Sequence, residues 1–301
     1  MLRSLYSGVS GMKGFQTQMD VIANNVSNVN THGFKAGRVL FQDMVSQNTT
    51  SASAPGLGLG GVNGKQVGLG MQTGAVDTMT GRGNMESTGQ DMDLYIQGEG
   101  YFIVRKEATA DSDAVTYYTR DGAFKRDSQG LLVNSNGYHV KGQPTKGNIP
   151  AAWDNNFKSE NYFGNPNATG SNLADINIPE MVNGQRFESV TIDNSGLVVA
   201  KYGDTRYAMG KIELAKFNNP SGLKKSGSNN FSVTNNSGDP NFATPGLGGT
   251  GTLESGFLEM SNVDLADQFS QMIIASRAYQ ANSRSITTSD EMLQELLNLK
   301  S

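Results

Sequence analysis

Residues 261–299 read SNVDLADQFSQMIIASRAYQANSRSITTSDEMLQELLNL and contain neither Gly nor Pro. Residues of this stretch recur at alternating spacings of four and three, which keep side chains on one face of an α-helix. This stripe comprises Leu265, Phe269, Met272, Ser276, Tyr279, Ser283, Ile286, Asp290, Leu293 and Leu297. The pattern predicts a helix about 57 Å long from Asn262 to Leu299, with Ser261 as N-cap and Asp264 in the capping-box position. So long a periodic helix favours a coiled coil.

The first thirty residues predict a second long helix, because no Pro precedes Pro55 and no Gly lies between Gly14 and Gly33. The same spacing of four and three recurs, and a neighbouring stripe repeats every seven residues. The main stripe comprises Leu5, Val9, Met12, Gln16, Met19, Ala23 and Val26, and the neighbouring one Phe15, Ile22 and Val29. Both ends of the chain are therefore predicted to be helical.

Both predicted helices are poor in charge, whereas a coiled coil in water normally carries Glu and Lys at its flanking positions. The charged residues of the first thirty are Arg3, Lys13 and Asp20, and those of 263–289 are Asp264, Asp267, Arg277 and Arg284. The helices either form an intramolecular antiparallel hairpin that only ties the termini together, or become buried among neighbouring subunits. We expect the second. The predicted subunit-packing residues are Leu5, Val9, Met12, Met19, Ile22, Val26, Leu265, Phe269, Met272, Ile273, Tyr279, Ile286, Leu293 and Leu297.

Between the termini, short alternating apolar stretches predict an all-β body of antiparallel strands. The stretches are Leu94–Ile96, Tyr101–Val104, Val115–Thr119, Leu131–Val133, Val190–Ile192, Leu197–Ala200, Lys211–Phe217 and Phe231–Thr234. The connectors 127–130 and 193–196 begin with Asp and end with Gly, as hairpin turns do. Residues 147–184 are rich in Asn and are predicted to be an irregular insertion.

Charge and residue usage exclude several classes of function. The chain has 24 Lys+Arg against 28 Asp+Glu, a net charge of -4, and no basic cluster for a nucleic acid. It has 0 Cys, which removes disulfides, thiolate metal sites and Cys nucleophiles. The two histidines, His32 and His139, lie in unrelated segments, which argues against a His-based metal site or catalytic triad. No apolar run reaches the length of about 18 residues that would span a membrane.

The Gly-rich stretch 55–65, PGLGLGGVNGK, does not fit a phosphate-binding loop. Leu59 stands where a P-loop needs Gly, and Gln66 where it needs Ser or Thr. Its G-x-G-x-x-G match lacks a preceding strand pattern, so a flexible loop is predicted. The chain has no G-x-S-x-G or H-E-x-x-H motif, and Asp91 and Asp93 do not begin an EF-hand. We therefore expect no enzyme activity, catalytic residue, cofactor, metal or small-molecule substrate.

Several longer motifs, in order along the chain, resemble those of the bacterial flagellar axial proteins, the rod and hook family. They are ANNVSNVNTHGFK at 23–35, NMESTGQDMDLYIQGEGYFIV at 84–104, YTRDGAF at 118–124, SNVDLADQF at 261–269, RAYQAN at 277–282 and DEMLQELLNL at 290–299. The resemblance covers residues 1–45, 75–146 and 185–301. His32 and the insertion depart from the family pattern.

The resemblance implies an α+β fold in three parts. Residues 1–30 and 261–301 would pair as a coiled-coil inner domain lining a tube, 31–74 would be a Gly-rich bridging segment, and 75–260 would be an antiparallel β outer domain. Within the family, SNVDL at 261–265 and LLNLK at 296–300 favour the hook, a flexible tubular joint that transmits torque from motor to filament. The alternative is the distal rod, the straight drive shaft of the basal body, because hook proteins often carry a whole extra domain where this chain has only 147–184.

The implied partners are further copies of the chain in a helical homopolymer, other axial proteins of the rod and the hook–filament junction, the hook cap and the flagellar export apparatus. No nucleic acid is implied. The implied location is extracellular, in the hook or basal body, and export would proceed without a cleavable signal peptide, since 1–20 lacks an uninterrupted apolar stretch. A monomeric secreted adhesin would instead require a signal peptide and charge-rich stalk helices.

Overall fold

The computed structural model describes residues 2–55, 60–107, 114–145, 151–152 and 173–298. The chain divides into two compact units. The first, called here the helical unit, consists of Met1–Val29, Ala36–Met79 and Val263–Ser301. The second, called here the β body, consists of Asn30–Lys35 and Thr80–Asn262.

Two long helices occupy the ends of the chain, as predicted: α1 spans Leu2–Ser27 and α2 spans Leu265–Asn298. The predicted N-cap of the second helix is wrong. The Oδ1 of Asp264 accepts the N–H groups of Ala266 at 2.9 Å and Asp267 at 3.3 Å, so Asp264 caps α2 in place of Ser261. Within the described part of the chain, neither helix has the apolar run that crossing a membrane requires.

The remaining elements of the described residues are short strands and a 3-10 helix, Pro220–Gly222. In the first unit the strands are β1 Gly37–Asp43, β2 Gln47–Thr50, β3 Lys65–Val67 and β4 Met71–Thr78. In the second unit they are β5 Met85–Ser87, β6 Leu94–Gln97, β7 Tyr101–Lys106, β8 Val115–Thr119, β9 Lys125–Arg126, β10 Leu132–Val133, β11 His139–Pro144, β12 Ala151–Ala152, β13 Ala174–Asp175, β14 Met181–Val182, β15 Gln185–Ile192, β16 Leu197–Tyr202, β17 Thr205–Ile212, β18 Leu214–Lys216, β19 Lys224–Gly227, β20 Asn230–Ser232, β21 Asn241–Ala243, β22 Thr252–Ser255 and β23 Phe257–Glu259.

The segment expected to be a Gly-rich bridge contains strands that the sequence pattern did not reveal. β1 pairs with β4 and β2 pairs with β3, both antiparallel, so residues 37–78 fold back on themselves. β1 and β4 pack on α1, where the ring centroids of Phe15 and Phe41 lie 5.7 Å apart. A Cβ on Gly14 would lie 2.5 Å from Cε of Met71, so the end of the Met71 side chain lies directly on the helix at this glycine. These strands escaped prediction because their side chains are mostly exposed and show no apolar alternation.

The β body is antiparallel, as predicted. Its largest sheet follows the order β14-β15-β16-β17-β11-β7-β8-β20-β19. The Asp–Gly connectors form the expected turns, in which the N–H of Gly130 donates to Asp127 O at 3.2 Å and that of Gly196 donates to Asp193 O at 2.8 Å. The stretch 211–217, predicted as one strand, is instead divided between β17 and β18. The division falls at Glu213, because β17 pairs with β11 whereas β18 pairs with β7 and β21.

A dense apolar core fills the β body, and each fully buried aliphatic or aromatic side chain contributes roughly 1.5–3 kcal/mol to folding. Its completely buried members include Leu94, Phe102, Val104, Val140, Ile178, Val198, Ile212 and Leu214. Ile178 belongs to the segment 147–184 that the sequence predicts to be an irregular insertion. Residues 146–150 and 153–172 lie outside the described residues, but 173–184 contains β13, β14 and two core isoleucines, Ile176 and Ile178. This final part of the segment therefore contributes to the core of the β body.

Candidate assembly surface

The two terminal helices pair with each other within the helical unit. Ser4 Oγ lies 3.4 Å from Ser289 Oγ, and the Nδ2 of Asn25 donates to Gln268 Oε1 at 2.9 Å. The start of α1 thus lies beside the end of α2, and the helices run antiparallel. This is the intramolecular hairpin that the sequence left open as one interpretation. Whether the pair packs as a coiled coil stays a prediction.

Small residues on α1 allow this pairing. A Cβ on Gly8 would lie 3.0 Å from Ile286 Cγ1, and a Cβ on Gly11 would lie 2.7 Å from Asn282 Nδ2. A side chain at either position would have to displace the side chain of Ile286 or Asn282, so glycine lets these residues of α2 lie directly against α1. Glycine inside a helix costs about 1 kcal/mol relative to Ala, and here the close approach explains its presence.

An amide side chain fixes the other end of the helix pair. Asn25 is 2% exposed, and besides its bond to Gln268 it bonds the backbone of Gly37 twice. Its Nδ2 donates to Gly37 O at 2.8 Å, and its Oδ1 accepts the Gly37 N–H at 2.9 Å. One side chain thus joins α1, α2 and β1. Sequence reasoning did not assign this role, and the only signal was the Asn pair inside the N-terminal motif.

Except for Gly14, the buried positions on each helix lie one position before a member of the main predicted stripe. On α1 it comprises Gly8, Gly11, Gly14, Ile22 and Asn25, and on α2 it comprises Gln268, Ala275 and Ser289. Treating the main stripe as the contact face within one chain would therefore be wrong. The physical reason is that these helices meet over small and amide side chains, so that the large apolar ones lie beside the contact or outside it.

The predicted subunit-packing residues accordingly remain accessible to different degrees. Ile22 is buried; Leu5, Met12, Met19, Val26, Met272, Ile286 and Leu293 are half-buried; and Val9, Leu265, Phe269, Ile273, Tyr279 and Leu297 are exposed. Phe269 is 50% exposed, Ile273 63% and Leu297 70%. The sequence stripe did not include Tyr6, Ile274, Met292 and Leu296, which are also exposed apolar side chains of these helices.

These exposed residues form faces on α2. Leu265, Phe269 and Ile273 follow one another at intervals of four, as do Met292 and Leu296, and such spacing places side chains side by side on a helix. Contiguous exposed apolar surface of this kind marks an interaction site. The candidate functional site of this protein is therefore the outward surface of its terminal helices.

A cluster of possible metal ligands lies in the β body. Glu107, His139 and Asp175 place ligand atoms within 4.8 Å of one another. However, the Nζ of Lys141 lies 2.6 Å from a carboxylate oxygen of both Glu107 and Asp175. The hydrogen bond from Lys141 lowers the pKa of Glu107. The ammonium therefore already fills the place that a cation would take, and the cluster is an ion-pair network.

Three family models match consecutive parts of the chain. "Flagella basal body rod protein" matches residues 5–35, "Flagellar hook protein FlgE/F/G D1 domain" matches 95–200, and "Flagellar basal body rod FlgEFG protein C-terminal" matches 254–299. The first and last matches cover most of the two terminal helices. The middle match falls within the β body.

Curated relatives resemble the whole chain. The flagellar basal-body rod protein FlgG of Bacillus subtilis (strain 168) is 46% identical over 301 residues, with all of both chains covered. In Borreliella burgdorferi, the rod protein FlgG is 37% identical over 307 residues, covering 100% of this chain and 99% of the relative. The flagellar hook protein FlgE of the same organism is 33% identical over 447 residues, with both chains fully covered.

Proposed function

This chain belongs to the family of flagellar rod and hook proteins, and within that family we propose that it is a subunit of the distal rod. The family is a structural one. In this proposal, copies of the chain polymerise through their terminal helices into a straight tube that carries torque. The motifs at 261–265 and 296–300 favour the hook. This proposal instead adopts the alternative given in the sequence analysis, the distal rod.

Length is the observation that carries the rod assignment. The matches to the rod proteins extend over 301 and 307 residues, close to the 301 of this chain. The match to the hook protein of Borreliella burgdorferi is stretched over 447 residues, so that hook protein carries a large addition that this chain lacks. This agrees with the expectation that 147–184 is too short to hold a further outer domain.

The hook is the second candidate, because a hook protein also matches this chain along its full length and because the C-terminal motifs resemble those of hooks. Both candidates need the same assembly surface. The exposed side chains of Phe269, Ile273 and Leu297 support self-association in either case. We propose that they lose contact with water when copies of the chain assemble.

The partners that follow from the rod proposal are further copies of the chain and neighbouring axial proteins. An export route out of the cell and a place in the basal body follow from the same proposal. A contact with the hook cap follows from the hook reading only. These partners stay predictions.

Electron microscopy of the purified full-length chain, concentrated until it polymerises, tests the proposal. Straight, stiff rods are the expected product. Curved or supercoiled tubes would contradict the rod assignment and favour the hook. A chain that stays monomeric at every concentration and salt would contradict both.

A further inference from the structure

Three charged side chains are buried together in the β body, apart from the assembly surface. The Nζ of Lys35 donates to Glu259 Oε1 at 2.5 Å, and the Nη1 of Arg120 donates to Glu259 Oε2 at 3.2 Å. The exposed side-chain fractions are 0% for Lys35, 4% for Arg120 and 1% for Glu259. Lys35 and Arg120 belong to the motifs quoted above at 23–35 and 118–124, and Glu259 lies two residues before the motif at 261–269.

Backbone groups make further hydrogen bonds to this cluster. The N–H of Gly83 donates to Glu259 Oε1 at 2.9 Å, and Lys35 Nζ also donates to Gly81 O at 2.9 Å. The Nη2 of Arg120 donates to Gly98 O at 2.9 Å. One carboxylate is thus held by donors from three other parts of the chain.

The cluster contains two cations and one carboxylate, so its charges do not cancel. Burial lowers the pKa of Lys35, and Arg120 adds to this effect while Glu259 opposes it. Removal of one partner from a buried charge cluster is costly when the remaining charge has no counter-charge. Loss of Glu259 would leave two unneutralised cations, whereas loss of either cation would leave a balanced pair.

The segments that the cluster holds are those next to the crossings between the two units. The chain leaves the β body after Lys35, re-enters it at Thr80 and leaves it again after Asn262. The N–H of Gly33 donates to Glu259 O at 2.7 Å, so the first and last segments are also joined directly. Gly33 has φ +69°, and a Cβ there would lie 2.7 Å from the backbone N of Asp121, so this contact requires glycine.

Further contacts hold the first of these segments, residues 32–35. Lys225 Nζ donates to Lys35 O at 2.7 Å and lies 4.7 Å from the ring centroid of Phe34. The Nδ2 of Asn229 donates to His32 O at 2.8 Å. These donors come from β19 and from the turn before β20. The segment 32–35 therefore contacts both the β19–β20 region and Glu259.

We propose that Lys35, Arg120 and Glu259 form a latch that fixes the connecting segments 32–35, 81–84 and 257–260, which lie at the boundaries of the β body, to one another and to the Arg120 segment. Glu259 is its centre, and the N-terminal connection docks stably only when the C-terminal connection supplies this carboxylate. The latch thereby couples the N-terminal and C-terminal connecting segments of the β body. It is a property of the single folded chain and does not depend on the choice between rod and hook.

Amide hydrogen exchange on the dilute full-length monomer tests the latch. In Glu259→Gln, the amides of Gly33, Gly83 and Met260 should exchange on the order of 100-fold faster than in the parent chain. The amides of the core strands β7 and β16 should keep the parent rates. In Lys35→Met, the same three amides should accelerate by less than about tenfold, because one cation still balances the carboxylate. Glu188→Gln, which removes an exposed carboxylate paired with Lys201 at 2.7 Å, is the charge-matched control and should change none of them.

Two results would overturn the latch. The first is equal acceleration of all β-body amides in Glu259→Gln, which would make the cluster a general core stabiliser. The second is an equally large effect of Lys35→Met, which would show that charge balance is not the reason. If Glu259→Gln does not fold, the double variant Lys35→Met/Arg120→Met replaces it, because it leaves the carboxylate alone. That double variant should open the three segments far more than either single change, and simple additivity of two small effects would contradict the proposal.

Discussion

The helical unit and the β body use apolar residues in opposite ways. In the β body, the apolar side chains of many strands converge into one large cluster and two smaller ones. Among the described residues of the helical unit, the buried hydrophobic ones are Ile22, Ala36 and Ala275, while most of the exposed large hydrophobic residues of the chain belong to this unit. The β body thus buries most of its large apolar side chains, whereas the helical unit retains exposed apolar surface.

The difference indicates where the energy of folding and the energy of assembly reside. Folding of the β body already removes its apolar area from water. The two helices contact each other through glycine and amide residues. The side chains of Phe269, Ile273 and Leu297 remain exposed to water. In our proposal, polymerisation completes their burial, so mutations in the two units should have separable effects.

The largest expected effect is the loss of polymerisation in Ile273→Asp. Ile273 is 63% exposed in the single chain, so the monomer should melt as the parent does. In a polymer the substitution would bury an unpaired carboxylate in every subunit, and sedimentation with imaging should show no tubes. Met181→Asp is the matched control, because Met181 is 56% exposed in the β body, and it should still polymerise. Tubes formed normally by Ile273→Asp would show that this face of α2 is not an assembly contact.

The next effect concerns folding. Ile178→Ala should destabilise the β body by about 2–5 kcal/mol, since it leaves a cavity in a packed core. Leu297→Ala, an aliphatic truncation at a position 70% exposed, should alter monomer stability by less than about 0.5 kcal/mol. Urea unfolding followed by near-ultraviolet circular dichroism measures both. A small loss of stability in Ile178→Ala would show that 173–184 contributes little to the core.

Asn25→Ala tests the junction of the two helices with β1. The change leaves Gln268 Oε1 and the Gly37 backbone without their buried partner, which costs roughly 1–3 kcal/mol. Hydrogen exchange should show faster opening of α1 and α2 while the β body is unchanged. Asn24→Ala, at an exposed neighbouring position, is the control. If the two variants show equal hydrogen-exchange rates in α1 and α2, Asn25 does not stabilise the helical unit.

The smallest expected effect is a pH dependence within the β body. Burial raises the pKa of Glu213, and the nearby charge of Lys211 only partly offsets this. The native state therefore holds the Glu213 proton more tightly than the unfolded state, and this contribution is lost as pH rises through the native pKa. Glu213→Gln should be more stable than the parent at pH 7 and nearly equal to it below pH 4.5, the ordinary value of the carboxyl.

The control for this pH dependence has the opposite sign. The hydrogen bond from Lys216 lowers the pKa of the exposed Glu99, so Glu99→Gln should lose a little stability above pH 4.5. Thermal melts across pH measure both variants. The stability difference between the parent chain and Glu213→Gln should vary with pH. If it does not, burial does not raise the pKa of Glu213.

Local pattern explains most of the elements that the sequence predicted. The helices at both ends follow from spacings of four and three without Pro, and the turns at 127–130 and 193–196 follow from Asp and Gly at fixed positions. β1 to β4 lacked such a pattern, because a hairpin with two mostly exposed faces needs no alternation. The core role of Ile178, which lies between β13 and β14, was hidden for a different reason: its segment is short and lies in an Asn-rich neighbourhood.

By itself, the sequence determined the helical ends, the antiparallel β body, its turns and the motifs of the rod and hook family. Only the tertiary structure decided which face of each helix is buried, that Asn25 joins three elements, and that Lys35, Arg120 and Glu259 share one buried site. The physical reason is the range of the interactions. Periodicity and turn chemistry act between residues a few positions apart, whereas Lys35 and Glu259 meet only after the whole chain has folded.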